Sequence, residues 1–122
     1  MFEAKVISEF SAAHSLRHYK GKCEALHGHN WKVEAVAAGE GLDKIGMLMD
    51  FKKFKSTLHK TLDKLDHKHL NSLTYFKKVN PTSENIAKYI FDKLKNELRG
   101  ADYELRRITV WESQNSCATY YE

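Results

Sequence analysis

Three histidines in the first quarter of the chain are spaced so that they can share one metal ion. His27 and His29 flank Gly28 at the start of an alternating apolar stretch that predicts a strand. Residues two apart in a strand point to the same face, so both imidazoles can converge on one ion, and Gly28 leaves room for it. His14 ends an earlier alternating stretch and shares the parity of its apolar residues. If these two strands pair as a hairpin, His14 reaches the same place.

This ligand set is typical of catalytic zinc. Three protein ligands leave one position of a tetrahedral Zn²⁺ open, whereas structural zinc sites are usually closed and richer in cysteine. The alternative is that the imidazoles are core side chains with other hydrogen-bond partners, because a single His-x-His pair is weak evidence. We expect Zn²⁺ at His14, His27 and His29. The histidines that we interpret as ordinary loop or helix residues are His18, His59 and His69.

A cysteine lies close to this predicted metal site in the sequence. Cys23 precedes His27 by four residues, and as a thiolate it can act as a fourth ligand, a base or a nucleophile. A zinc ion and the neighbouring Lys22 would both favour the thiolate. The alternative for an isolated cysteine is a small apolar filler, which is how we interpret Cys117.

Two further acidic positions are candidates for a role in the site. Asp66 and His67 are predicted at the end of a helix, where an aspartate can orient an imidazole that passes protons. Sequence neighbours rarely bond each other directly, so helix capping is the alternative for Asp66. Glu112 ends a strand on the parity of its apolar residues, and a buried carboxylate there needs a partner with donor groups, such as a ligand edge with two donors side by side. A solvated strand end is the alternative.

The elements that must position these residues follow from periodicity. Alternation predicts strands near residues 2–10, 29–37, 105–112 and 116–121, the last two joined by a turn at 113–115. Apolar steps of three and four residues predict one helix after Asp50 and another capped by Thr82 or Ser83. The order ββααββ indicates a single α+β domain over residues 1–122, with two helices on one face of a four-stranded antiparallel sheet. The exposed edges of such a sheet favour oligomer formation.

The composition narrows the class of protein. The chain has 122 residues, a net charge of +4 and two cysteines outside any Cys-x-x-Cys pair, which fits one domain with free thiols. The start carries no apolar signal segment, and no run is long enough for a membrane span, so we expect a cytoplasmic protein without a membrane partner. Basic residues form no stripe interleaved with aromatics, so nucleic-acid binding is not expected.

Six short motifs resemble, in the same order, those of the 6-pyruvoyl-tetrahydropterin synthase family. They are residues 10–14 (FSAAH), 23–29 (CEALHGH), 49–51 (MDF), 65–71 (LDHKHLN), 80–85 (NPTSEN) and 111–113 (WES). The resemblance covers nearly the whole chain, and six motifs together are far more specific than any one.

This resemblance implies a fold, an assembly and a set of roles. The fold is the T-fold, or tunnelling fold, in which trimers close into a β-barrel and two trimers form a homohexamer with active sites between subunits. The implied zinc ligands are His14, His27 and His29. The implied proton-transfer groups are Cys23, Asp66 and His67. The implied pterin-binding residues are Glu112, Thr82 and Ser83.

Within the family, the three residues between Cys23 and His27 resemble the bacterial 6-carboxy-5,6,7,8-tetrahydropterin synthases of the queuosine pathway. The implied reaction converts 7,8-dihydroneopterin triphosphate to 6-carboxy-tetrahydropterin, with release of acetaldehyde and triphosphate. One alternative is the pyruvoyl-forming synthase, which acts on the same substrate. The alternative from another class is a non-catalytic zinc module in which Cys23 completes a closed site.

Overall fold

Two long strands form the centre of the fold and carry the three histidines. In the computed structural model, which describes residues 1–22 and 24–122, strand β1 spans Phe2–His14 and strand β2 spans His27–Gly39. They pair antiparallel along their whole length, from Phe2 opposite Gly39 to His14 opposite His27. The predicted hairpin is therefore confirmed. Cys23 lies outside the described residues.

The sheet has one more strand than the sequence predicted. Strand β4 (Glu104–Trp111) pairs antiparallel with β2, and strand β5 (Cys117–Tyr120) pairs antiparallel with β4. Strand β3 (Lys68–His69) lies parallel to β1, so the order is β3-β1-β2-β4-β5 and the sheet is mixed. The prediction of four antiparallel strands was wrong on this point, because two residues are too few to show an alternating pattern.

Two helices cover one face of the sheet, as predicted. Helix α1 spans Phe51–Leu62, and helix α3 spans Ser83–Glu97. Asp50 caps α1 by accepting hydrogen bonds from two backbone N–H groups, and the Thr82 hydroxyl caps α3. A single 3-10 turn (Leu70–Ser72) and a short helix α2 (Thr74–Lys78) lie between them and were not predicted.

The end of α1 also differs from the prediction. The helix stops at Leu62, so Asp66 and His67 lie in the following turn and not on the helix. Leu65 is nevertheless fully buried, which explains why its spacing looked helical. The spacing of apolar residues therefore predicted the burial of Leu65 correctly, but this residue lies in a turn and not in a further turn of the helix.

The core fills the space between the helices and the covered face of the sheet. Its largest fully buried side chains include Trp31, Phe54, Leu58, Phe76, Phe91 and Ile108. Trp31 belongs to β2 and stands two residues from His29, so the wall of the core continues directly into the histidine cluster. Among the described residues, no helix combines the length and the apolar character that crossing a bilayer requires.

Replacement of the α1 cap tests this account of the helix. Asp50→Ala removes the acceptor for the N–H groups of Lys52 and Lys53, so we expect a loss of about 1 kcal/mol in the free energy of unfolding. Urea denaturation measures it. The matched control is Asp63→Ala at the other end of α1, where a negative charge opposes the helix dipole. Equal destabilisation by both changes would contradict the cap.

Candidate active site

The register of the β1–β2 hairpin brings three imidazoles to one point. His14 lies opposite His27, and Ala12 lies opposite His29, so all three rings project from the covered face of the sheet. The ring centroids are 4.6 Å apart for His14 and His27, 4.7 Å for His27 and His29, and 5.2 Å for His14 and His29. One nitrogen from each ring lies within 4.8 Å of the others. The predicted convergence is confirmed.

Two backbone carbonyls fix which nitrogen of His14 and of His27 carries the proton. His14 Nδ1 is 2.7 Å from the carbonyl oxygen of Pro81, and His27 Nδ1 is 2.9 Å from that of Ala25. A carbonyl oxygen only accepts, so each Nδ1–H donates, and in the neutral ring Nε2 then holds a lone pair. The two Nε2 atoms are 3.1 Å apart. Two lone pairs at this distance repel each other, and a shared cation removes the repulsion.

The third ring presents an unpartnered nitrogen. Nε2 of His29 is buried and has no hydrogen-bond partner within residues 1–22 and 24–122. Burial lowers the pKa of His29, and the Glu112 carboxylate, 3.7 Å from Nε2, opposes this only in part. The ring is therefore held neutral, which is the form that binds metals.

An aromatic wall holds the rings in place. Trp31 meets His14 edge to face at 4.9 Å and His29 at 5.2 Å between ring centroids. The indole N–H donates to the carbonyl of Ala12, 3.2 Å away, so Trp31 is itself fixed. Three imidazole nitrogens against an apolar wall fit a divalent ion with a preference for nitrogen, with one coordination position left for another ligand. The histidine triad (His14, His27 and His29) can therefore hold a metal ion.

Asp66 and His67 form a separate pair. Asp66 Oδ2 is 3.1 Å from His67 Nδ1, although direct bonding between sequence neighbours was not expected. His67 adopts a left-handed backbone with φ of 57°, which directs its ring back toward the carboxylate. The N–H of Ser11 donates to Asp66 Oδ1 at 2.9 Å and, against the effect of burial, holds the pKa of Asp66 below its ordinary value, helped by His67.

This acid–imidazole pair is not joined to the histidine triad. The His67 side chain is 81% exposed, and in the described part of the chain no hydrogen bond or ion pair links it or Asp66 to the triad. His67 nevertheless lines a shallow groove to which His29 also contributes. The groove is also lined by Ser11, Gly28, Asn30, Lys68 and His69.

The predicted substrate residues lie on the rim of the triad or beside it. Glu112 follows the end of β4, and its backbone N–H donates to the carbonyl of Ser116. Its side chain is 40% exposed and lies beside His29. The Thr82 hydroxyl already accepts from the N–H of Asn85 as the α3 cap, and Ser83 is the half-buried first residue of that helix.

Sequence reasoning missed the groups that orient the histidine triad. The carbonyls of Pro81 and Ala25 act through the backbone, so residue type gives no signal for them. Glu24, whose Oε1 lies 3.7 Å from His27 Nδ1, was visible only as a neighbour of Cys23.

Comparisons with known proteins agree with this geometry. The model of the family described as 6-pyruvoyl tetrahydropterin synthase matches residues 3–122. A Pyrococcus furiosus protein named dihydroneopterin monophosphate aldolase is 38% identical over 112 residues, covering 90% of each chain. A Synechocystis protein named 6-carboxy-5,6,7,8-tetrahydropterin synthase is 38% identical over 117 residues, covering 92% of this chain and 87% of its own. A Haemophilus influenzae protein of the same name is 32% identical over 145 residues and covers all of both chains.

Solved structures show the same fold. The Caenorhabditis elegans 6-pyruvoyl tetrahydropterin synthase superposes with a TM-score of 0.86 at 30% identity, covering 99% of this chain and 95% of its own. The triad, the aromatic wall and the T-fold thus occur together in a chain that the family model spans almost from end to end. The chain belongs to the 6-pyruvoyl tetrahydropterin synthase family, whose members act on pterin substrates.

Proposed function

We propose that this protein is a zinc-dependent 6-carboxy-5,6,7,8-tetrahydropterin synthase of queuosine biosynthesis. It would convert 7,8-dihydroneopterin triphosphate and water to 6-carboxy-tetrahydropterin, acetaldehyde and triphosphate. The observation that carries the metal dependence is the 3.1 Å approach of the His14 and His27 Nε2 atoms beside the buried Nε2 of His29, which has no hydrogen-bond partner among the described residues. The relatives from Synechocystis and Haemophilus influenzae, which carry this enzyme name, support the choice of reaction.

Two related reactions are the alternatives. Relatives from Caenorhabditis elegans and Dictyostelium discoideum are named for pyruvoyl synthesis, and the Pyrococcus furiosus relative is named a monophosphate aldolase. The spacing of Cys23 and His27 favours the carboxy-forming reaction over the first. The closed structural zinc module loses its support, because family membership indicates an enzyme.

The residues would divide the chemistry as follows. When bound, a zinc ion supplies a Lewis acid for the side-chain oxygens of the substrate. Cys23 would act as thiolate and remove a carbon-bound proton, while His67, oriented by Asp66, would carry a second proton. The Glu112 carboxylate would accept hydrogen bonds from the guanidine-like edge of the pterin. Thr82 and Ser83 would line the ring beside it.

The positions of these groups support an assembly with shared sites. His67 is 81% exposed and separate from the triad, so a second subunit that closes the site would account for its participation. We propose a homohexamer of two stacked trimers, in which the sheet edges at β3 and β5 are covered and residues 1–122 act as one T-fold domain. A cytoplasmic location would keep the catalytic thiol reduced.

Metal analysis tests the ligand assignment. The protein as isolated should carry about one zinc per chain, and His27→Ala should abolish tight binding, because a site with two remaining protein ligands is incomplete. The matched control is His59→Ala, which removes an imidazole of α1 that is hydrogen-bonded to the Ser8 hydroxyl and is not part of the triad. Full zinc occupancy in the His27 variant would contradict the assignment.

A product assay tests the reaction. With 7,8-dihydroneopterin triphosphate as substrate, we expect acetaldehyde and 6-carboxy-tetrahydropterin in equal amounts by mass spectrometry, with loss of turnover under a chelator and recovery with zinc. Triphosphate without acetaldehyde would indicate the pyruvoyl-forming alternative. Cleavage restricted to a monophosphate substrate would indicate the aldolase.

Replacement of the two cysteines separates a catalytic thiol from an ordinary one. Cys23→Ala should lower turnover by about 100- to 10,000-fold, the usual range for loss of a general acid or base, while zinc content stays unchanged. Cys117→Ser, at an exposed position on β5, should leave turnover as it was. The thiolate role is wrong if the two variants behave alike.

A further inference from the structure

The loop between β1 and β2, which contains Cys23, begins with a segment that two asparagine side chains hold in place. The Ser15 N–H donates to Asn71 Oδ1 at 2.9 Å, and Asn71 Nδ2 donates back to the Ser15 carbonyl at 2.8 Å. The same exchange joins Arg17 to Asn80, with both bonds at 2.9 Å. We call Asn71 and Asn80 the asparagine clamp.

Each amide of the asparagine clamp replaces a neighbouring strand. A strand neighbour satisfies the N–H and the carbonyl of alternate residues, and an asparagine side chain offers one acceptor and two donors for the same purpose. β1 ends at His14, yet residues 15 and 17 beyond it have both backbone groups paired. The chain therefore leaves the metal site along a fixed path.

Further bonds close the neck of the loop. The Arg17 guanidinium donates to the carbonyls of Phe76 and of Val79, the latter at 2.8 Å. On the returning side of the loop, the Glu24 N–H donates to the Leu16 carbonyl at 2.8 Å, and the Leu16 N–H donates to Glu24 Oε1 at 3.3 Å. The returning end of the loop is thus bonded to Leu16 of the outgoing end, and the outgoing end is fixed against the segment of the chain that runs from Asn71 to Asn80.

That segment also orients a metal ligand. Pro81, which follows Asn80, holds His14 Nδ1 through its carbonyl, and Asn85 Nδ2 donates to the carbonyl of Asn80 at 2.9 Å. The clamp and the metal ligand are therefore tied to the start of α3 together. A shift of one relative to the other requires breaking several bonds, not one.

We propose that Asn71 and Asn80 are positioning residues, which set where the Cys23 loop stands relative to the histidine triad. The proposal rests on the proposed role of Cys23 as proton-transfer group. The thiol itself lies outside the described residues. The clamp holds the outgoing backbone at Ser15 and Arg17, and Leu16 between them carries the bonds to Glu24 on the returning side. A loop free at its ends would hold a proton-transfer group in a productive position for only part of the time.

The test uses Asn71→Asp and Asn80→Asp in the full-length protein. Aspartate keeps the size and the acceptor of asparagine but cannot donate, and its charge faces the carbonyl of Ser15 or Arg17. We expect kcat to fall by about 10- to 100-fold, since misplacement by about 1 Å can cost 100-fold. KM should stay within about twofold, and zinc content should not change.

A second readout follows the loop without any substrate. In a Cys117→Ser background, a nitroxide label on Cys23 should give a broad, immobilised spectrum, and each aspartate variant should sharpen it. Asn96→Asp introduces the same charge at an exposed position of α3 and should change neither readout. Ile90→Val, in the core, should lower Tm and leave the label's line shape unchanged.

The outcomes separate the clamp from the proposed function. If the spectrum of the labelled protein keeps the wild-type line shape in both aspartate variants, the proposed role of the clamp is wrong, even if kcat falls. If Asn80→Asp does not fold, Asn71→Asp decides alone. If the wild-type protein fails to turn over the pterin triphosphate, the proposed function is wrong, and the line shape still decides whether the clamp positions the loop.

Discussion

Repulsion between imidazole lone pairs is the constraint around which this structure is arranged. Two carbonyls hold the Nδ1 protons of His14 and His27, so their Nε2 lone pairs face each other at 3.1 Å. Such an arrangement is unfavourable unless a cation occupies the space between the rings. The free energy of binding that cation then contributes to folding, because the unfolded chain has no comparable site.

Strand register protects this arrangement. A slip of one residue between β1 and β2 would place His14 on the opposite face of the sheet from His27 and His29. The pairing runs unbroken from Phe2 to His14, and the one irregularity of β2, between Val36 and Ala37, lies toward the opposite end and involves β4. The long hairpin therefore places rigid, regular backbone at the metal end, where ligand geometry is most demanding.

The relatives of this chain differ in the reaction for which they are named. Relatives at 38% identity carry the names of a synthase and of an aldolase. Because fold does not determine chemistry, the difference must arise from the groups placed on the shared fold. In this chain the candidate groups fall into two sets, Glu112 beside the triad and the Asp66–His67 pair on an exposed groove.

The sequence by itself determined what depends on local periodicity. The parity of His14, His27 and His29 and the cap at Asp50 follow from residue spacing, since a strand or helix repeats over a few residues. The second cap was narrowed to Thr82 or Ser83, and the structure places it at Thr82. Only the tertiary structure decided β3, the direct Asp66–His67 contact, the asparagine clamp and the carbonyl of Pro81 on His14. Apart from the Asp66–His67 contact, which joins sequence neighbours, these depend on groups that approach from distant parts of the chain, 67 positions away for Pro81. Residue type alone does not indicate such contacts.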